Sequence, residues 1–413
     1  MAKKTKSTGV LSSDAQTAFL QVIDSLGDDP TIRNLDAEEE FIPTDSIVWD
    51  HVLQLKGIPR GGRIIQIHGK EHGGKSTLTY SIIKAYQKHT GQPVCLFDFE
   101  GTCTGEYLKR NGVNIERNAL VLYNENSIES CIRKTVQFLE AGVKVFVYDS
   151  VPRMKSKVDK KEIISGAAFK AQYASHAKSM NLFFDLLLPY AQANDAVFIM
   201  INQHRARIDA SMEAQQAIKY GTITNTNYVL PGGYAMRFNP SLSIEVQVAK
   251  AIRAGGGETD WDIEPGENKG GEYAATKVRI RVMKNKVTMG GYREYHLYLR
   301  PGLGLDDNIS VRELAHKYKL IQYKGRKYVI GLESNPIATY DTKDEAIRAL
   351  VIDQDPEVLG KLKELVISAI HSDAESFLTE LSLEERAVVD EEAYTRLATK
   401  PAVAFDDDDE EFS

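Results

Sequence analysis

Gly69-Lys70-Glu71-His72-Gly73-Gly74-Lys75-Ser76 stands directly after the apolar run Arg63–His68 and directly before the helix-patterned segment Leu78–Gln87. The octapeptide fits G-x-x-x-x-G-K-[ST] in the strand–loop–helix context that the pattern needs. Its glycines let backbone N–H groups curl around phosphates at a helix N-terminus, where the macrodipole favours anions. Lys75 then supplies charge to the β- and γ-phosphates, Ser76 a magnesium ligand, and Thr77 the next residue of the cradle. ATP and Mg2+ are the cofactors this stretch points to.

Working outward, apolar runs alternate with helical patterns from Arg63 to about Leu299: Arg63–His68, Val94–Phe99, Leu120–Tyr123, Val145–Asp149 and Val197–Ile201. Continuous rather than alternating hydrophobicity suits strands buried on both faces, so the reading is an α/β fold with a mostly parallel sheet covered by helices. Leu242–Val248 and Lys277–Val282 instead alternate apolar with polar residues, which predicts half-exposed strands in an antiparallel extension.

Bulk properties agree with a globular chain: 413 residues, 42% hydrophobic and 26% charged, enough to bury a large core. No apolar run approaches the roughly 20 residues of a membrane span, and the basic start Met1–Lys6 leads into no apolar leader, so a cytoplasmic protein without membrane contact is expected. Cys95, Cys103 and Cys131 form no C-x-x-C pair, which favours reduced thiols over disulfides or structural zinc. The net charge of −7 reflects six consecutive acids, Asp406 to Glu411; with those set aside, acids and bases balance to within one. A nucleic-acid site on such a body has to be a local basic patch.

Val145–Ser150 ends an apolar strand on Asp149, where a second magnesium contact is expected beside a phosphate-binding loop. Asp98 and Glu100 close the strand Val94–Phe99. A carboxylate beside the γ-phosphate can polarise the attacking water, which makes Glu100 the candidate general base.

Ile201-Asn202-Gln203-His204-Arg205-Ala206-Arg207-Ile208 and Met283-Lys284-Asn285-Lys286 resemble two further signatures of the bacterial RecA family. The similarity runs from about Phe41 to Gly304 and includes Gly57–Gly62, Phe97–Glu100, Asp149-Ser150 and Gly232-Gly233 followed by Arg237-Phe238. The resemblance implies a RecA-like P-loop NTPase core that hydrolyses ATP, forms helical filaments on single-stranded DNA and pairs it with homologous duplex DNA in recombination, repair and replication. It implies that Gln203 senses the γ-phosphate and couples it to a DNA-binding loop of about 204–231. Arg205, Arg207 and Lys219 in that loop, with Arg237 beyond it, would contact DNA. Lys284 and Lys286 would reach the neighbouring subunit's γ-phosphate as counterparts of an arginine finger. Tyr107 matches the residue that stacks on adenine. Thr104 departs from the family by replacing an acidic neighbour that helps to read the base, which loosens the expected preference for ATP. A second DNA loop longer than in the bacterial proteins and an acidic end look more like a bacteriophage RecA-like recombinase. A hexameric helicase motor and a non-catalytic recombination mediator are the rival readings.

The expected domains are an N-terminal oligomerisation helix and linker (1–42), the ATPase core (43–303), a small C-terminal α+β domain (304–400) and an acidic tail (401–413). Ala15, Phe19, Val22, Ile23 and Leu26 fall at helical spacing between Ser12 or Ser13 and Gly27, and that helix docks either on a neighbouring subunit or on its own core. Lys317, Lys319, Lys324, Arg326 and Lys327 interleave with Tyr318, Tyr323 and Tyr328, a composition that fits a secondary duplex-DNA site and equally an ordinary surface. The tail either competes with DNA for the basic loops, binds a partner such as a single-strand-binding protein or loading mediator, or is simply solvated.

Overall fold

The apolar runs of the sequence are buried along almost their whole length because they lie inside one sheet. In the computed structural model, Arg63–Gly69 (β3), Val94–Asp98 (β4), Val145–Asp149 (β6) and Val197–Gln203 (β7) expose little beyond a terminal residue. The structure describes residues 40–125, 127–157, 172–206, 228–253, 273–288, 294–300 and 302–380, together with Thr17, Gln21, Val22 and Ser25. Ahead of Glu40 the four described residues are helical, and Ser25 Oγ donates to the Val22 carbonyl at 2.7 Å. Ser12, Ser13 and Gly27, the expected helix boundaries, lie outside the described residues, as does the acidic tail.

The described residues from Phe41 onward belong to one compact unit. Its first elements, β1 (Phe41–Ile42) and β2 (Ile58–Pro59), pair antiparallel, and so do the short strands β8 (Arg205–Ala206) and β9 (Tyr228–Val229). With β5 at Leu120–Asn124, β10 at Leu242–Arg253, β11 at Tyr273–Asn285, β12 at Glu294–Arg300 and β13 at Gly304–Leu305, the main sheet has nine strands in the order β13-β12-β11-β10-β3-β7-β6-β4-β5. Strands β10, β3, β7, β6, β4 and β5 run parallel, and β11 to β13 extend the sheet antiparallel.

Alternate side chains separate two apolar layers, as the pleat requires. On one face Phe97, Phe146, Tyr148 and Phe198 pack with Met180, Phe183 and Leu187 of the helix Gln172–Ala193. Phe97 and Tyr148 stack with centroids 5.3 Å apart, and Phe183 meets Tyr148 edge-on. On the other face Ile65, Ile67, Val147 and Ile199 pack with Leu78, Ile82 and Ile83 of the helix that follows the glycine-rich loop, Lys75–Thr90 (α1).

Strand β10 corrects the expectation for Leu242–Val248. It is antiparallel only to β11, pairs in parallel with β3, and is buried from Leu242 to Val246 rather than half exposed. Its polar positions are covered because each has a partner: Ser243 Oγ donates to Gln66 Oε1 at 3.1 Å, and Glu245 accepts from the Tyr228 hydroxyl at 2.9 Å. Strand β11 does alternate, with Ala275, Val278 and Ile280 buried between partly exposed residues.

Beyond β13, the helices Asp307–Lys317 and Pro356–Glu380 flank a three-stranded antiparallel sheet of Ile321–Lys324, Lys327–Leu332 and Asn335–Tyr340. Gly325 and Arg326, both at positive φ, make the two-residue hairpin turn between the first two of these strands. Leu320, Ile330, Leu350 and Leu362 here belong to the same apolar cluster as the sheet residues Ile65 and Ile199.

Candidate active site

Parallel strands deliver their C-terminal ends to one edge of the sheet, the usual ligand position of open α/β folds. Register places Gly69 beside Gln203 and Asp98 beside Asp149. The edge opens into a cavity of about 440 Å³ lined by Lys75, Ser76, Glu100, Tyr107 and Asp149 among others.

Two glycines shape the loop by what they lack. A Cβ on Gly69 would lie 2.1 Å from the Val246 carbonyl oxygen, and one on Gly74, at φ +86°, would lie 2.4 Å from Leu299 Cδ1. Gly74 is the N-cap of α1, so that close approach sits where the helix presents its free N–H groups. Lys70, Glu71 and His72 form the exposed crest of the loop, and Gly73 lies beneath it, buried. Lys75 is buried and its Nζ donates to the Lys70 carbonyl at 2.6 Å. Burial pushes its pKa down, against the pull of Asp149, Glu100 and Glu71.

Ser76 Oγ donates to Asp149 Oδ2 at 3.0 Å, which places a hydroxyl and a carboxylate together. Burial pushes the Asp149 pKa up to about 6, with Glu100 and Asp98 adding to it and Ser76 and Lys75 opposing. Hard oxygen donors in a half-buried spot crowded by acids suit a divalent cation such as Mg2+, which would supply the missing positive charge.

Glu100 Oε1 accepts from Gln203 Nε2 at 2.7 Å and from Ser150 Oγ at 2.5 Å. The two candidates read from motifs more than 100 residues apart are thus in direct contact. Asp98 serves the backbone instead, being 2% exposed and accepting from the N–H groups of Glu100, Gly101 and Cys103 at 2.7 to 3.0 Å. It builds the turn that carries Glu100. Behind Gln203, fully buried Asn202 donates to the Pro231 carbonyl at 2.9 Å, tying the end of β7 to the far side of the loop at 204–231.

Tyr107 is exposed on the cavity wall, its hydroxyl 2.9 Å from Thr77 Oγ1. Thr104, which departs from the family pattern, caps the helix Gly105–Arg110 by accepting from the Tyr107 N–H at 3.2 Å.

The other candidates do not line this cavity. Lys284 Nζ donates to the carbonyls of Arg237 and Phe238 at 2.9 and 2.8 Å, closing the C-terminus of the short helix Gly233–Phe238. Burial and the nearby Lys286 and Arg237 bring its pKa down to about 8. Lys286 donates its backbone N–H to the Ser241 carbonyl at 2.8 Å. Arg205, in β8, and Arg237 are exposed. Arg207 and Lys219 lie outside the described residues. In the C-terminal sheet Lys324 pairs with Glu333 and Lys327 with Asp341, so part of that basic group is already matched by acids.

Sequence reasoning missed Ser150, Leu299 and Arg300. Ser150 adjoins Asp149 at the end of an apolar strand, a position that could have flagged it. Leu299 and Arg300 arrive through the antiparallel edge, and nothing local to them signals a site.

A family model of the RecA N-terminal domain matches residues 16–305. Protein RecA of Borrelia duttonii (strain Ly) is 28% identical over 307 residues, 74% of either chain. Protein RecA of Borrelia turicatae (strain 91E135) is 29% identical over the same length and shares. Protein RecA of Methylococcus capsulatus (strain ATCC 33009 / NCIMB 11132 / Bath) is 26% identical over 329 residues, 79% of this chain and 84% of that one. With strand ends, loop and family model in agreement over more than half its length, the chain belongs to the RecA family.

Proposed function

We propose that this protein is a DNA-dependent ATPase that assembles into a helical filament on single-stranded DNA and promotes homologous pairing and strand exchange with duplex DNA. The observation that carries the reading is the Glu100–Gln203 contact at the rim of a phosphate-binding loop, because it joins the hydrolytic residue to the root of the DNA-binding loop. Lys75 and the backbone of Gly69–Ser76 would hold the phosphates of ATP, with Tyr107 against the base. Ser76 and Asp149 would hold Mg2+, which neutralises phosphate charge when bound.

Glu100 takes the proton of the attacking water. Gln203 donates either to Glu100 or to the γ-phosphate, and that exchange repositions Arg205, Arg207 and Lys219 on DNA. Lys284 and Lys286 act across the subunit boundary, so hydrolysis depends on assembly. The domain division at 42, 303 and 400 belongs to the same proposal, with the segment 1–42 bridging subunits and the acidic tail regulating loading with a single-strand-binding or mediator protein. The work takes place in the cytoplasm, the host's if the chain is phage-encoded; among the described residues no helix is long and apolar enough to cross a membrane.

Negative-stain electron microscopy with single-stranded DNA and a slowly hydrolysed ATP analogue tests the reading. Extended helical filaments that require nucleotide support it; discrete six-membered rings would replace it with a ring-shaped motor.

A further inference from the structure

We infer that His68, His204 and Glu245 form a second cation site, for a zinc-class divalent transition ion, apart from the magnesium position at Ser76 and Asp149. The donors come from neighbouring strands. β3 lies between β10 and β7, and register sets His68 directly beside Glu245 on one side and Asn202 on the other. His204 follows β7 and extends its pairing with β3 by one bond, its N–H donating to the Gly69 carbonyl at 3.0 Å.

One donor atom from each residue converges on one point. His68 Nδ1 lies 2.9 Å from His204 Nε2, His204 Nε2 lies 3.8 Å from Glu245 Oε1, and all three atoms fall within 4.8 Å of one another. Tetrahedral zinc with ligand bonds of about 2.0–2.1 Å separates its donors by about 3.3 Å, a spacing that the first two distances bracket. Moving His204 Nε2 by about half an ångström brings both of its distances to that spacing, and the third pair already lies within 4.8 Å.

The chemistry of the donors agrees. His68 is 2% exposed and Glu245 8% exposed. A neutral imidazole offers one ring nitrogen as a lone-pair donor, and His68 Nδ1 and His204 Nε2 face each other across the gap. Two imidazoles with one carboxylate make a set that zinc-class ions accept and that magnesium, which prefers oxygen, does not.

Outer partners hold the donors in place, as metal sites require. The Tyr228 hydroxyl donates to Glu245 Oε1, Arg281 Nη1 lies 3.7 Å from Glu245 Oε2, and the Tyr228 ring stacks on His204 with centroids 3.4 Å apart. Oε1 keeps a second lone pair for the ion. A bound ion would tie the strand that leads into the phosphate loop to the residue after Gln203.

The test uses the untagged full-length chain, stripped with chelator, free of nucleotide and titrated with Co2+. One equivalent should produce the intense visible bands of a tetrahedral centre, displaced by Zn2+ and not by excess Mg2+. Glu245→Gln and His204→Asn should each weaken Co2+ binding by about 100-fold or more while circular dichroism stays native, and Asp149→Asn should keep the bands. Absent tetrahedral bands in the unmodified chain would overturn the inference and leave His68 and His204 as a hydrogen-bonded pair. Bands that survive in both natively folded variants, or that vanish in Asp149→Asn, would overturn it as well.

Discussion

Gln203 Nε2 donates to Glu100 Oε1 across 2.7 Å, joining the end of β7 to the turn built by Asp98. Gln203→Ala removes that donor without touching the phosphate loop. DNA-stimulated ATP hydrolysis should fall by about 10²-fold, the scale for losing one positioned donor, while ATP binding stays within a few-fold. Hydrolysis measured with and without single-stranded DNA checks this, and an unchanged stimulation would contradict the coupling.

Lys284 spends its donors within the chain on the carbonyls of Arg237 and Phe238, and it is also the proposed finger toward a neighbour. Lys284→Ala should lower DNA-dependent hydrolysis by about 10³-fold if the finger role holds. Mixing it with Lys75→Ala should restore part of the activity, because some interfaces then combine an intact loop with an intact Lys284. Two inactive variants that stay inactive together would confine Lys284 to closing its helix.

Gly69→Ala and Gly74→Ala should differ in severity. The Cβ at 69 meets a backbone oxygen at 2.1 Å, while the Cβ at 74 meets the end of the Leu299 side chain at 2.4 Å. Gly74→Ala also strains a backbone at φ +86° whatever Leu299 does, so it should cost about 1–3 kcal/mol; a side chain can swing aside and a strand cannot, so Gly69→Ala should cost more. Urea denaturation of the two variants orders them.

Asp50 and His51 are neighbours that push stability in opposite directions with pH. Burial raises the Asp50 carboxyl to about 6, so between about pH 4 and 6 the folded state holds a proton that the unfolded chain releases, and stability falls as pH rises. Burial lowers His51 to about 4, so its contribution grows from about pH 4 up to the ordinary histidine range. Asp50→Asn keeps an acceptor for the Thr44 N–H, which Asp50 bonds at 3.0 Å, turns its NH2 toward the Thr44 hydroxyl, which now accepts, and removes the first effect. Relative to the unmodified chain it should gain stability between pH 4 and 6, by about 3 kcal/mol at most, and hold that gain above pH 6. Melting temperatures at pH 4.5 and 7 measure the difference.

The phosphate loop was legible because its glycines, Lys75 and Ser76 sit within eight residues, and the parallel strands because burial on both faces leaves continuous apolar runs. What escaped depended on partners distant in sequence. Ser243 and Glu245 look solvent-facing beside Ile244, yet Gln66 and Tyr228 bury them. Asp98 closes the same strand as Glu100, and its structural task shows only when the turn after it folds back and supplies three N–H donors. Lys284 reads as a finger toward a neighbour, and its bonds within the chain are hidden because the carbonyls it meets lie more than 45 residues earlier. His204 directly follows Gln203 and shares its motif, but its partner His68 is 136 positions away.

Leu299 fills the space that a side chain on Gly74 would need, and it belongs to the antiparallel margin of the sheet, anchored one residue later where Arg300 pairs with Asp306 at 2.6 Å. The first turn of α1 is therefore roofed by a strand that enters the sheet more than 200 residues later, so the loop's shape is completed only once the antiparallel margin has paired.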